Sequence, residues 1–246
     1  LTQAFDALIE GNTLAVSTRS ARVFGDRGSG ATLLTVRLYL SSYQLGDHPE
    51  LFSALVRGSK RGWLIANALD GVDDDRRLAD VESQIQNLSS IGLTAENFDL
   101  RNFTPDDVEA AFGHPDFVWV RGGNVFILRM AMARSAFDRL IVARLAADDL
   151  VYAGFSAGAC VLAPSLLGLE LCDSVVDCRA EYGDVRFAGL AVLDRAVVPH
   201  LQSSDHPETN ILGAIAKRYD AKDIRYWPLR DGQALVVDGF SSLIQS

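Results

Sequence analysis

The sequence is poor in the side chains that do most metal and redox work. Only four histidines occur in 246 residues, so a reaction that needs an imidazole has His48, His114, His200 and His206 to choose from. Cysteine is equally scarce. Cys160, Cys172 and Cys178 are odd in number and lack zinc-ligand spacing, which excludes a disulfide framework and a structural zinc site. Reduced thiols and a cytoplasmic location are the expectation. Basic residues are outnumbered, 23 Lys and Arg against 32 Asp and Glu, for a net charge of −9. That balance argues against a nucleic-acid or anionic-membrane partner, since both select basic patches. No apolar run approaches the roughly 20 residues of a membrane span. The first residues, starting at Leu1, lack a basic stretch followed by an apolar one, so no secretory leader is expected. Repeats and low-complexity segments are missing as well. Nothing calls for a metal or a cofactor.

What is present is a globular composition, 48% hydrophobic and 22% charged, which supports a sizeable core. Residues 1–31 are rich in small, basic and glycine residues and are read as an N-terminal arm before an α/β domain at 32–246. From residue 35 onward two periods alternate. Apolar runs at 35–42, 62–69, 97–102, 116–124 (a strand running into glycines) and 150–155 suit strands. Helical patterns fall at 48–58, 73–93, 104–112 and 125–148, the last as one helix or two. In 73–93 the apolar face is Leu78, Val81, Ile85 and Leu88, spaced by three and four. Thr104 before Pro105 reads as a helix cap. Strand–helix alternation with continuous apolar strands predicts an α/β fold: a mostly parallel sheet with helices on both faces. Late strands are expected around 189–200, in "IRYWPL" and in "ALVVDG", with a helix from about Pro207 to Tyr219.

Ser156 stands in "YAGFSAGACV", a Gly-x-Ser-x-Gly run that follows an apolar strand and precedes a helix expected over 157–167. Strand, sharp turn and helix are the context of a nucleophile elbow, and ligands of open parallel sheets bind beyond the carboxyl ends of the strands. The amide of Ala157 could then face a developing oxyanion. A serine needs a base. His200 closes the apolar run "AVVP", which places it at the same edge. His206 lies in a loop before a helix, and His48 and His114 precede prolines in capping or turn positions. Asp231, in the turn of "PLRDGQALVV", is the favoured third member, with Asp194 and Asp205 as competitors. Gly122–Gly123 ends another strand and offers backbone amides, with Asn124 placed to cap the helix that follows.

Four stretches in order, "VWVRGGNVFILR", "YAGFSAGACVLAP", "AGLAVLDRAVVPHL" and "LRDGQALVV", resemble the peptidase E family of serine peptidases, which includes α-aspartyl dipeptidases and cyanophycinases. The resemblance runs from about Thr35 to the end. It implies a sheet like that of class I glutamine amidotransferases, with Ser156 as nucleophile, His200 as base, Asp231 as acid, and Gly123 and Ala157 as the oxyanion hole. The implied reaction is hydrolysis of short peptides, of exopeptidase or dipeptidase type, through an acyl-enzyme. Where the aspartyl dipeptidases carry an Arg after the catalytic His, this chain has Asn210 in "Pro-Glu-Thr-Asn". A neutral amide cannot form a bidentate charged pair, so strict selection of an N-terminal Asp is not expected. Asn124, Asn210 and Arg179 are the substrate-binding candidates. Two rival readings remain open, an α/β-hydrolase esterase and an inactive family member serving as a binding module. The former uses the chain order Ser, acid, His, the reverse of that expected here for the last two. Homo-oligomerisation is left open.

Overall fold

Strand residues with their branched and aromatic side chains divide by parity between two cores. In the computed structural model, residues 36–239 and 241–245 are described; the expected arm at 1–31 lies outside them. Strands β1 (Val36–Ser41), β2 (Arg61–Ile65), β3 (Thr94–Asn97), β4 (Phe117–Val120) and β5 (Val151–Phe155) run parallel. Strands β8 (Ala234–Gly239) and β9 (Ser241–Gln245) add antiparallel to the β1 edge. The sheet order is β3-β2-β4-β5-β1-β8-β9. A separate parallel ribbon pairs β6 (Ala196–Val198) with β7 (Tyr226–Pro228).

On one face of the sheet Val36, Leu38, Leu40, Val118, Val120 and Tyr152 pack under α4 (Val125–Arg134) and α5 (Phe137–Ala146). On the other, Tyr39, Trp119, Val151, Ala153 and Phe155 pack under α1 (Pro49–Leu55) and α2 (Asp74–Ser90). The expected fold class is the observed one: both faces are covered, and the central strands are buried throughout. Shorter helices α3 (Val108–Phe112), α6 (Ala157–Cys160) and α7 (Val175–Tyr182) and the amphipathic α8 (Thr209–Asp220) are the other α-helices among the described residues. Among the described residues no helix is long and apolar enough to cross a membrane.

Several local expectations shift. The run 97–102 holds only the end of β3 and then a 3-10 turn at Leu100–Asn102. Thr104 does not cap: its amide donates to Asp107 Oδ1 at 2.6 Å, and the helix begins at Val108. The 125–148 stretch breaks at Ala136, whose φ of 61° ends α4 and starts α5. The helix after Ser156 is a single turn, with Pro164 closing the apolar stretch beyond it. On α2 the inward positions are Arg77, Val81, Gln84 and Leu88, whereas Leu78 is 57% exposed. Gln84 faces inward because its Oε1 accepts from the buried Trp119 indole at 2.9 Å.

Candidate active site

Three chain segments meet at the carboxyl ends of β1, β4 and β5. The first is the turn after β5. Ser156 has φ 49° and ψ −115°, a left-handed strained conformation, and its amide donates to Ser41 O of β1 at 3.3 Å. The flanking glycines permit it. A Cβ on Gly158 would lie 2.1 Å from Val120 O, and one on Gly154 would lie 2.7 Å from the same atom. The pattern Gly-x-Ser-x-Gly is thus a packing requirement of β4 against the elbow.

The second segment is the turn after β4. Gly123 has φ 136°, and a Cβ there would come within 2.6 Å of Ala68 O. Asn124 amide donates to that carbonyl at 3.0 Å, while Asn124 Oδ1 caps α4 by accepting from Phe126 N and Ile127 N. Ala68 itself is fixed by a buried polar cluster: Asn67 Nδ2 donates to Asp70 and Asp99, and Asn67 Oδ1 accepts from Leu100 N. Neither the Gly123 amide nor the Ala157 amide enters a turn, loop or cap hydrogen bond among the described residues.

The third segment joins β6, β7 and β8. His200 follows β6, is buried, and sits at φ 53°. Its Nδ1 lies 2.6 Å from Asp231 Oδ1. Asp231 reaches it because β8 is antiparallel, so the turn that enters β8 lies beside the carboxyl end of β1. Of the competing carboxylates, Asp194 is held by Arg195 and Arg225, and Asp205 is exposed. Ser42, directly after β1, links the parts: its Oγ accepts from His200 N at 2.8 Å and donates to Asp231 Oδ1 at 2.8 Å. Burial is the largest influence on His200 and pushes its pKa below the usual histidine value, against the opposing pull of Asp231.

All this opens on a cavity of about 550 Å³. Ser156, His200, Gly123 and Asn124 line it, together with Tyr43, His206 and Glu208. Ser156 Oγ makes no hydrogen bond among the described residues; a substrate-free serine commonly closes its bond to the base only when substrate is bound. Charges of both signs line the walls: Arg76 and Arg121 against Asp173, Asp177 and Glu208. Arg121 is already paired with Asp80 at 2.7 Å. Asp173 accepts from Val125 N at 2.8 Å, and burial pushes its carboxyl up to about 7.

Not every candidate arrives. Asn210 is exposed on the first turn of α8 and Arg179 is exposed on α7, and neither lines the cavity; Pro207 and Glu208 are the members of "Pro-Glu-Thr-Asn" that do. Cys160 is buried with its thiol against Val197 O. Sequence reasoning missed Ser42 and Tyr43, and set His206 aside as a loop residue. The signal for the first two was a polar pair closing an otherwise apolar strand in "YLSSY". His206 carried none beyond its proximity to His200.

A parallel sheet that presents an elbow serine in one cavity with a histidine–carboxylate pair belongs to the class of serine hydrolases. Sequence comparison narrows the class: the model of peptidase family S51 matches residues 51–244, and the chain belongs to that family. It is a serine peptidase. It is 28% identical to an uncharacterized peptidase of Listeria monocytogenes over 159 residues, 65% of this chain and 74% of that one. An uncharacterized peptidase of Pasteurella multocida is 26% identical over 154 residues, 63% of this chain and 71% of that one. In structure the chain resembles a Listeria monocytogenes protein ascribed to peptidase E, with a TM-score of 0.70 at 23% identity over 86% of this chain and 98% of that one. A peptidase of an acI-B1 actinobacterium has a TM-score of 0.62 at 16% identity, over 87% and 88% of the two chains.

Proposed function

We propose that the protein hydrolyses short peptides through Ser156, His200 and Asp231, as a dipeptidase or exopeptidase without a strict demand for an N-terminal Asp. The observation that carries this reading is the 2.6 Å contact between His200 Nδ1 and Asp231 Oδ1, behind the cavity that Ser156 and His200 line. With Nδ1 held by the carboxylate, the lone pair for proton transfer is on Nε2. Ser156 Oγ attacks the scissile carbonyl carbon and passes its proton to His200 Nε2. The carbonyl oxygen becomes an oxyanion, received by the amides of Gly123 and Ala157. The C–N bond breaks as His200 returns that proton to the leaving amine. Water then repeats the sequence on the acyl-enzyme, with His200 again as base and then acid, and frees the acid product and Ser156.

The size and mixed charge of the cavity suit a short zwitterionic peptide better than a long chain. An N-terminal Asp would face Asp173, Asp177 and Glu208, and of the two guanidiniums in the wall, Arg76 and Arg121, the latter is neutralised by Asp80. The test is a dipeptide and tripeptide library read by mass spectrometry, with Ser156→Ala as the control. Turnover across several N-terminal residues, lost in the variant, is expected. Turnover confined to Asp-X dipeptides would overturn the specificity, and an active Ser156→Ala would overturn the nucleophile.

A further inference from the structure

The loop that follows His200 folds back over it. Thr209 Oγ1 donates to His200 O at 2.8 Å and accepts from Ser203 N at 3.0 Å, and Ser203 Oγ accepts from Asp231 N at 2.8 Å. The loop so pinned lays the His206 ring on the His200 ring, centroids 3.6 Å apart and planes 1° from parallel. Tyr43 packs edge-on against both, at 6.0 and 5.9 Å. Glu208 follows two residues later. One donor atom from each of His200, His206 and Glu208 lies within 4.8 Å of the others. Among the described residues none of the three forms an ion pair with a cation; the charged neighbour of His200 is Asp231.

We propose that His200, His206 and Glu208 form a binding site for a divalent transition-metal ion of the zinc type, and that this ion, when bound, switches the peptidase off.

Three features support it. The donors are two imidazoles and a carboxylate, a borderline set that suits zinc and leaves a fourth position for water, whereas calcium and magnesium select oxygen ligands. The His200 ring is already mounted as metal-binding histidines are. One nitrogen is fixed by a carboxylate, that carboxylate is itself hydrogen-bonded by Ser42, and the other nitrogen's lone pair is left for a ligand. The spacing is within reach as well. Donors around a tetrahedral zinc lie about 3.4 Å apart, so the cluster must draw in by roughly 1 Å. Parallel rings point their in-plane lone pairs past each other, so His206 must also tilt. His206 and Glu208 can do both, being half-exposed and on the loop, while His200 stays fixed.

The consequence for activity is a competition for one lone pair. Metal binding breaks no covalent bond; the ion exchanges a water for the His200 nitrogen that would otherwise take the Ser156 proton. A chelator therefore leaves the metal-free peptidase unharmed and restores the metal-bound one. Binding stands on the geometry alone; inhibition rests in addition on the reading of His200 as the base.

The two parts are tested separately. Zinc is titrated calorimetrically into the full chain carrying Ser156→Ala, which removes turnover. One ion per chain is expected, and adding His206→Ala or Glu208→Gln should weaken binding by about 10–100-fold or more, as even indirect supports of metal ligands do. His48→Ala and His114→Ala should leave it unchanged. Cobalt absorption in the visible range provides a second reading, and His206→Gln a second variant should the alanine form fail to fold by circular dichroism. Absence of binding at about 0.1 mM zinc, where a micromolar site is saturated, or binding unaltered in both loop variants, would overturn the site. In the wild-type chain, peptidase activity should fall over the same zinc range and return with EDTA. Binding with no loss of activity would leave the site standing, overturn the switch, and count against His200 as base.

Discussion

At the scale of the residue, the site depends on backbone as much as on side chains. Ser156 and His200 both occupy left-handed conformations, at φ 49° and 53°, which other contacts must enforce. In the proposed mechanism the two act on one proton, so Ser156→Ala and His200→Ala should each reduce kcat by roughly 10³-fold or more, with the double variant little worse than either. Losses that multiply would show that the residues do not share a step. Burial lowers the His200 pKa, so the ring sheds its proton at a lower pH than a free imidazole and stays competent as a base further into acid. The acid limb of the kcat/KM profile should therefore lie below about 6.5, the free value. A limb above it would mean that the Asp231 interaction outweighs desolvation, or that another group titrates.

At the scale of the element, the elbow and its neighbour β4 behave as one unit. Gly158→Ala should drive a methyl into Val120 O, 2.1 Å away, and destabilise the fold by about 1–3 kcal/mol or more with loss of activity. Gly213→Ala on α8 meets nothing within 4 Å and should stabilise by about 0.5–1 kcal/mol, since alanine favours a helix interior. Thermal melts of the two should move in opposite directions, and a shared direction would refute the contrast. The same locality explains what could be read from the sequence. The strand–glycine junctions at Gly122 and Ser156 were visible because apolar runs and glycines are neighbours in the chain. The preference for Asp231 over Asp194 and Asp205 came from turn position and the family resemblance. Ser42 was hidden because its role depends on β1 meeting a turn some 190 residues later. The inward turn of Gln84 and Arg77 on α2 was hidden for the same reason: their partners, Trp119 and Asp99, belong to other strands and turns.

At the scale of the whole molecule, the acidic surplus reaches into the cavity. Asp173 has its carboxyl pushed up to about 7 from an ordinary 3.8, first by burial and then by Glu208. A raised carboxyl binds its proton more tightly when folded than when unfolded. That contribution to stability is complete below pH 3.8 and is lost as pH rises toward 7. Asp173→Asn keeps an oxygen for the Val125 amide and removes the titration. It should gain roughly 2–4 kcal/mol over the wild type at pH 8 relative to pH 4, at about 1.4 kcal/mol per pKa unit. Urea unfolding at the two pH values measures this, and an equal effect at both would refute it.

The antiparallel course of β8 also sets an order in time. A growing chain that has just passed β5 already holds the elbow serine and the glycine turn after β4, yet it has neither His200 nor Asp231. Asp231 follows Ser156 by 75 residues. At about 5–20 residues per second, translation takes roughly 4–15 seconds to cover that distance. In the proposed mechanism the nucleophile is thus made first and its partners last. A peptidase working by that mechanism cannot cut anything until its final strands have docked.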